Sequence, residues 1–346
     1  MPDPRADVKV AVLSGGRSSE HTVSLDSARS VLDGLEAAGH ETLPIVIGRD
    51  GVWRRGDPRA GEELGGEEPL AFSPGRGLLD AEVAFPVLHG PFGEDGTIQG
   101  LLECLDVPYV GAGVLSSAVC MDKAAFKRLM AQAGMPQVRY AVITETEWEA
   151  ARESALDRAA TLGLPSFVKP ARLGSSVGIS KAAEAADLPA AIESALDHDP
   201  ICLVEETATG IEVECSVIGN GEPTVSEPGQ VITTGAEWYD YEAKYTEGGM
   251  ELVVPAPLAP SQRERVRRIA AEAFLRSSCS GLARVDFFVT EEGKVLLNEL
   301  NTIPGFTSTS VFARLFEASG VTYVELLDRL LSFALERFEH ERAHRF

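Results

Sequence analysis

Residues 281–305 read Gly281-Leu-Ala-Arg284-Val-Asp286-Phe-Phe-Val-Thr290-Glu-Glu-Gly293-Lys-Val-Leu-Leu-Asn298-Glu299-Leu-Asn301-Thr-Ile-Pro304-Gly305. Two apolar, β-branched runs flank the short turn Thr290–Gly293, the pattern of a β-hairpin. Side chains two apart on a strand share a face. One strand therefore presents Arg284 with Asp286, and the other presents Glu299 with Asn301. Pairing brings two carboxylates, a carboxamide and a guanidinium to one place. Hard oxygen donors of this kind suit Mg²⁺, which binds through one or two carboxylates plus substrate phosphates. The arginine suits negative charge developing beside the metal. A solvated face on an edge hairpin is the plain alternative.

Upstream, residues 8–13 (VKVAVL) form a buried-strand run that ends in Ser14-Gly15-Gly16. A helix follows, with Ala28, Val31, Leu32 and Leu35 on one face and Gly39 as its stop. ETLPIVI is a second strand, so the opening predicts a parallel α/β sheet. Residues 49–80 read as a surface insertion, and AEVAFPVLHG resumes the sheet. A helix is expected over about 122–133, and Thr146-Glu-Trp-Glu149 has the spacing of a capping box. Ser261-Gln-Arg-Glu264 opens a strongly basic helix. Two further helices are expected over about 308–318 and 322–338. The fold class is an α/β N-terminal domain followed by an α+β body, divided as 1–118, 119–215 and 216–346.

The net charge of −22 argues against nucleic acid and anionic membranes as partners. An anionic ligand must be held by a few placed cations. Lysine is scarce, seven against 24 arginines, so its presence in motifs at Lys123, Lys169 and Lys244 is not a matter of abundance. Five scattered cysteines with no C-x-x-C pair suggest reduced thiols, hence a cytoplasmic setting. No signal pattern or membrane-length apolar run is present.

Lys169-Pro-Ala-Arg172-Leu-Gly174-Ser175-Ser176-Val-Gly178 places a lysine at a strand end before a glycine- and serine-rich loop. Backbone N–H groups, hydroxyls and the ammonium together suit phosphate. The same residues satisfy G-x-S-x-G, the nucleophile elbow of serine hydrolases, with His198, His340 or His344 as the histidine available to it. A plain Gly/Ser turn is a third reading. Glu20, in Gly15-Gly-Arg-Ser-Ser-Glu20-His21, reads either as a helix cap or as a carboxylate for a substrate ammonium. Tyr239-Asp-Tyr-Glu-Ala-Lys244-Tyr245 is an aromatic turn or an active-site segment.

In this order, GGRSSEHTVS, LHGPFGEDGT, MDK, VKPARLGSSVGIS, YDYEAKY, ARVDFF and NELNTIPGFTSTS resemble the D-alanine–D-alanine ligases of the ATP-grasp superfamily. The resemblance spans residues 15 to about 310 and implies a three-domain ATP-grasp ligase. It implies ATP-dependent formation of D-alanyl-D-alanine for peptidoglycan, through an acyl phosphate, by a cytoplasmic homodimer. It implies that Lys123, Lys169 and Lys244 contact ATP phosphates beneath a closing Ser175-Ser176 loop. Glu205, Glu206 and Ala208 line the adenine pocket, and Glu212 holds the ribose. Asp286, Glu299 and Asn301 bind two Mg²⁺ ions, with Mn²⁺ as a substitute. Glu20, grouped with Ser175 and Tyr245, receives the ammonium of the first D-alanine, and His89 belongs to the substrate pocket. Arg284 and the Gly305 N–H face the oxyanion, and Ser310 and Val311 face the second substrate's carboxylate.

Two positions depart from the family pattern. Leu173 replaces an acid that bonds the tyrosine in some members, and Thr207 replaces an aromatic on the adenine side. No residue identifies itself as the base that deprotonates the second amine. D-lactate or D-serine as the second substrate, and an inactive nucleotide-binding protein, are the alternative readings.

Overall fold

The computed structural model describes residues 8–61, 68–233 and 249–345. Its first sheet is built from β1 (Lys9–Gly15), β2 (Glu41–Ile47), β3 (Trp53–Arg55) and β4 (Val83–Pro86), in the order β3-β2-β1-β4. β1 runs parallel to both β2 and β4 and is buried along nearly its whole length, as a strand covered on both faces must be. The expected helix spans His21–Ala38 and stops at Gly39, whose left-handed conformation turns its N–H back onto the Glu36 and Leu35 carbonyls. Residues 49–80 are not merely an insertion: β3 extends the sheet antiparallel to β2, and Leu78 is fully buried in the core beneath it.

The second sheet holds β5 (Tyr140–Thr144), β6 (Ser166–Pro170), β7 (Ser180–Ala182) and β8 (Ile201–Glu206), in the order β5-β8-β6-β7, all antiparallel. Helices Glu145–Ala160 and Leu188–Leu196 supply its core through Trp148, Ala155, Ile192 and Ala195. The cap of the first helix is Thr144, not Thr146. Its hydroxyl accepts from the Glu147 N–H at 3.2 Å, and Thr144 also satisfies the capping-box spacing two residues earlier. The helix expected over 122–133 forms as Lys123–Gln132, capped by the Asp122 carboxylate through the Ala125 N–H, and a separate helix, Val114–Met121, precedes it.

The third sheet comprises β9 (Ile211–Gly219), β10 (Thr224–Val225), β11 (Gly229–Thr233), β12 (Met250–Val253), β13 (Gly281–Val289) and β14 (Val295–Asn301). Its path is β12-β11-β9-β13-β14, with β10 on β9. β9 pairs with β13 from end to end, so a division at residue 215 cuts a strand; strand pairing puts the break between β8 and β9. The basic helix runs Pro260–Arg276, beginning at the proline because a missing N–H costs nothing in a first turn.

The last helix, Tyr323–Arg342, bridges residues 216–346 and the first domain, sharing one core with Ile218, Leu282, Phe312 and Phe316. Its Leu326, Leu327, Leu330 and Leu331 close over Val31, Leu32 and Leu35 of the first domain. Arg337 fastens the junction by donating to the Tyr109 and Gly111 carbonyls and to Ser280 Oγ. His40 Nε2 lies 2.9 Å from Asp328 Oδ1 at the other end of that contact. Among the described residues no helix is long and apolar enough to cross a membrane.

Candidate active site

The hairpin forms as its sequence requires, with Gly293 N–H closing the turn onto the Thr290 carbonyl at 2.8 Å. Register places Asp286 opposite Glu299 and Arg284 opposite Asn301, so the four side chains share one patch. A bulge follows Asp286, and beyond it the register shifts. Arg284 donates to both Asp286 oxygens at 2.8 Å, and its Nε lies 2.9 Å from Glu214 Oε2. Glu214 is a neighbour from β9, directly across from Asp286.

A cavity of about 510 Å³ opens in front of this patch. Glu20, His89, Lys123, Ser175, Arg284, Glu299, Asn301, Gly305, Ser310 and Val311 all line it. These residues come from all three parts of the chain. Glu20 sits at the cap position of helix His21–Ala38 but makes no capping bond with its side chain. Ser175 Oγ donates to Glu20 Oε1 instead, joining the glycine-serine loop to the first domain. Gly90 lets Glu20 fit: a Cβ there would lie 2.6 Å from Glu20 Oε2. Ser175 and Ser176 both adopt left-handed backbone, φ 48° and 59°, a strained choice for serine that turns the loop tightly. No nucleophile elbow forms, because residues 171–179 are loop and strand β7 follows where the elbow needs a helix.

His89 is buried, its two ring nitrogens against the Ile303 carbonyl at 2.9 Å and Ser27 Oγ at 3.0 Å. Burial lowers its pKa, against the pull of Glu20. Ser310 Oγ accepts from the Thr307 N–H at 3.0 Å and caps the turn before helix Val311–Ala318.

A second group lies off this cavity. Lys169 on β6 and Glu205 on β8 are joined by an ion pair of 2.6 Å. Lys127 reaches the other carboxylate oxygen at 3.0 Å. Helix Lys123–Gln132 connects the two groups: Lys123 donates to the Leu173 carbonyl at 2.8 Å and stands 3.5 Å from Glu299 Oε2, and Lys127 is one turn further on. Burial depresses Lys127 despite Glu205. Burial also opposes the charges on Lys169 and Glu205, but their attraction prevails, raising the first and lowering the second. Glu206 turns to Arg139 at 2.6 Å, Ala208 is half-buried, and Glu212 lies on β9, two residues before Glu214. Lys244 and Tyr245 lie outside the described residues.

Asp286, Glu299 and Asn301 suit a hard divalent cation. Two opposed carboxylates supply charge, and each oxygen that already accepts one hydrogen bond, from Arg284 or from the Ile303 N–H to Asn301, keeps a second lone pair. Among the described residues, no three His, Cys, Asp or Glu side chains gather as metal ligands.

Sequence reading passed over Lys127, Glu214 and Glu94. Lys127 was legible as a rare lysine four residues after Lys123, and Glu214 as the partner of Glu212 at strand spacing. Glu94 carries no such signal. It is buried on the cavity wall, with Oε2 accepting from the Gly90 N–H at 2.9 Å. Burial, reinforced by Glu20, raises its pKa well above the ordinary range.

Residues 9–112 match the family model described as the D-ala D-ala ligase N-terminus, and residues 129–332 match its C-terminus. A D-alanine--D-alanine ligase of Geobacillus kaustophilus is 45% identical, with 96% of each chain covered. One from Deinococcus radiodurans is also 45% identical, covering 95% of this chain and 98% of that protein. The solved D-alanine-D-alanine ligase from Coxiella burnetii is 35% identical with a TM-score of 0.86, covering 97% of this chain and 96% of that one. The VanG D-Ala:D-Ser ligase from Enterococcus faecalis is 35% identical with a TM-score of 0.85, covering 95% and 99%.

Proposed function

The chain belongs to the D-alanine–D-alanine ligase family, and from that premise we propose how its own residues divide the reaction. The reaction joins two D-alanine molecules at the expense of ATP, giving D-alanyl-D-alanine for peptidoglycan synthesis. A carboxylate oxygen of the first D-alanine attacks the γ-phosphorus, ADP leaves, and an acyl phosphate forms. The amine nitrogen of the second D-alanine then attacks the acyl carbon, and inorganic phosphate departs.

Glu20, oriented by Ser175, receives the first ammonium, with His89 beside it. Lys123, Lys169 and Lys244 hold the phosphates under the Ser175-Ser176 loop, whose closure protects the acyl phosphate from water. Glu205, Glu206 and Ala208 border the adenine, and Glu212 the ribose. Arg284 and the Gly305 N–H stabilise the oxyanion. Ser310 and the Val311 backbone receive the second carboxylate, and Tyr245 belongs with Glu20 and Ser175. Asp286, Glu299 and Asn301 hold magnesium, two ions in this reading and replaceable by manganese. Bound magnesium offsets charge on the transferring phosphoryl group.

The observation that carries this reading is the single cavity holding the Glu20–Ser175 pair together with Lys123, Arg284 and Glu299. Its test is ATP-dependent phosphate release with D-alanine, L-alanine, or D-alanine plus D-lactate or D-serine, with products weighed by mass spectrometry. Release with D-alanine alone, accompanied by the dipeptide, is expected. Release only in the presence of a different second acid would reassign the acceptor and keep the fold. The working form is a cytoplasmic homodimer, and light scattering at the mass of one chain would reject the dimer.

A further inference from the structure

We propose that Lys127 is a positioning residue for the nucleotide phosphates: it holds the Glu205 carboxylate so that the Lys169 ammonium stays available to phosphate. The inference rests on the reading that Lys169 contacts ATP. Lys127 Nζ stands 3.0 Å from Glu205 Oε1, and Lys169 Nζ stands 2.6 Å from Glu205 Oε2. One carboxylate is thus shared between two ammonium groups, one on each oxygen. All three side chains are out of water, with exposures of 1% for Lys127, 5% for Glu205 and 10% for Lys169. Lys127 also lies 5.5 Å from the centre of the Tyr140 ring, a further site for its charge.

Stability alone does not account for this arrangement. One lysine suffices to neutralise Glu205, and burying a second ammonium adds a desolvation cost. The arrangement gathers two ammonium groups on one carboxylate at the strand end from which the glycine-serine loop departs, with Glu212 and Glu299 also acting on Lys169. A pair of cations held there suits an anion arriving from solution. With Lys127 neutral, both Glu205 oxygens fall to Lys169. The carboxylate then competes with phosphate for the same ammonium, so nucleotide affinity drops while the D-alanine cavity, to which Lys127 does not contribute, is untouched.

The test uses the full-length enzyme, with phosphate release measured at saturating D-alanine and ATP binding measured separately by calorimetry. Lys127→Met is expected to raise the ATP KM and Kd roughly 10-fold to 100-fold, the worth of one charge-assisted hydrogen bond, with the D-alanine KM unchanged. Lys127→Arg restores the charge and is expected to bring ATP binding back toward wild type. Should the methionine variant not fold, Lys127→Gln, which keeps a donor but no charge, takes its place with the same expectation. A lowered melting temperature with unchanged ATP affinity would reduce Lys127 to a structural ion pair and overturn the proposal. Lys169→Met separates the two readings. If it too leaves ATP affinity unchanged, the assignment of Lys169 fails; if it weakens ATP while Lys127→Met does not, only the role of Lys127 fails.

Discussion

Replacing Arg284 by alanine removes a group that does two jobs, and the structure lets their costs be separated. The guanidinium makes two 2.8 Å bonds to Asp286 and a 2.9 Å contact to Glu214. The side chains involved are 14%, 13% and 5% exposed, so truncation takes the guanidinium from between two acids that are largely out of water. Breaking a buried pair in this way costs about 3–5 kcal/mol, and the lower end applies here because a carboxyl deprived of its partner escapes by taking up a proton. For a chain of this size that corresponds to a fall in melting temperature of roughly 4 °C. The second cost falls on the transition state, where losing one oxyanion donor slows turnover by about 10²–10³. Scanning calorimetry reads the first cost and phosphate release at saturating substrates reads the second, with ATP binding retained. Adding Glu214→Gln to Arg284→Ala removes one of the two facing acidic charges and is expected to recover part of the stability and none of the rate. Arg284→Lys, a point charge in place of a fork, is expected to remain slow. Turnover within a few-fold of wild type in folded Arg284→Ala would refute the oxyanion role. Recovery of rate along with stability in the double variant would show that the loss was structural.

Glu20→Gln is expected to raise the D-alanine KM by about 10-fold or more with the ATP KM unchanged, since a charged acceptor for the ammonium becomes neutral; an unchanged D-alanine KM removes Glu20 from that role. Gly210→Ala is expected to cost about 1–3 kcal/mol, because Gly210 has φ 128° and a Cβ there would sit 2.1 Å from the Val289 carbonyl oxygen; an unaltered melting temperature would contradict the close approach. Glu94 sets a pH dependence. Its folded pKa lies well above its ordinary 4.5, so above pH 4.5 the folded state binds more protons than the unfolded state, and stability falls as pH rises from 4.5 toward the raised pKa. Glu94→Gln is expected to flatten that slope, and denaturation midpoints that keep the wild-type slope would show that Glu94 ionises normally.

The sequence by itself determined the elements and the chemistry each one carries. Alternation in residues 281–301, with a four-residue turn between, is enough to place Asp286 and Glu299 on one face, because period-two geometry and the turn are local. The strand-glycine-helix opening likewise specified the parallel sheet. Only the tertiary structure decided what depends on contacts between distant segments. Glu214 joins Arg284 because β9 pairs with β13, and Lys127 joins Lys169 because helix Lys123–Gln132 packs beside β8; neither pairing leaves a trace in local periodicity. The capping box at Thr144 was displaced by two residues because two overlapping spacings were available, and the end of β5 chose between them. The last helix crosses back to the first domain because its leucine face matches the apolar stripe of helix His21–Ala38. Hydrophobic burial is not directional along the chain, so an amphipathic helix announces that it needs a partner without naming one.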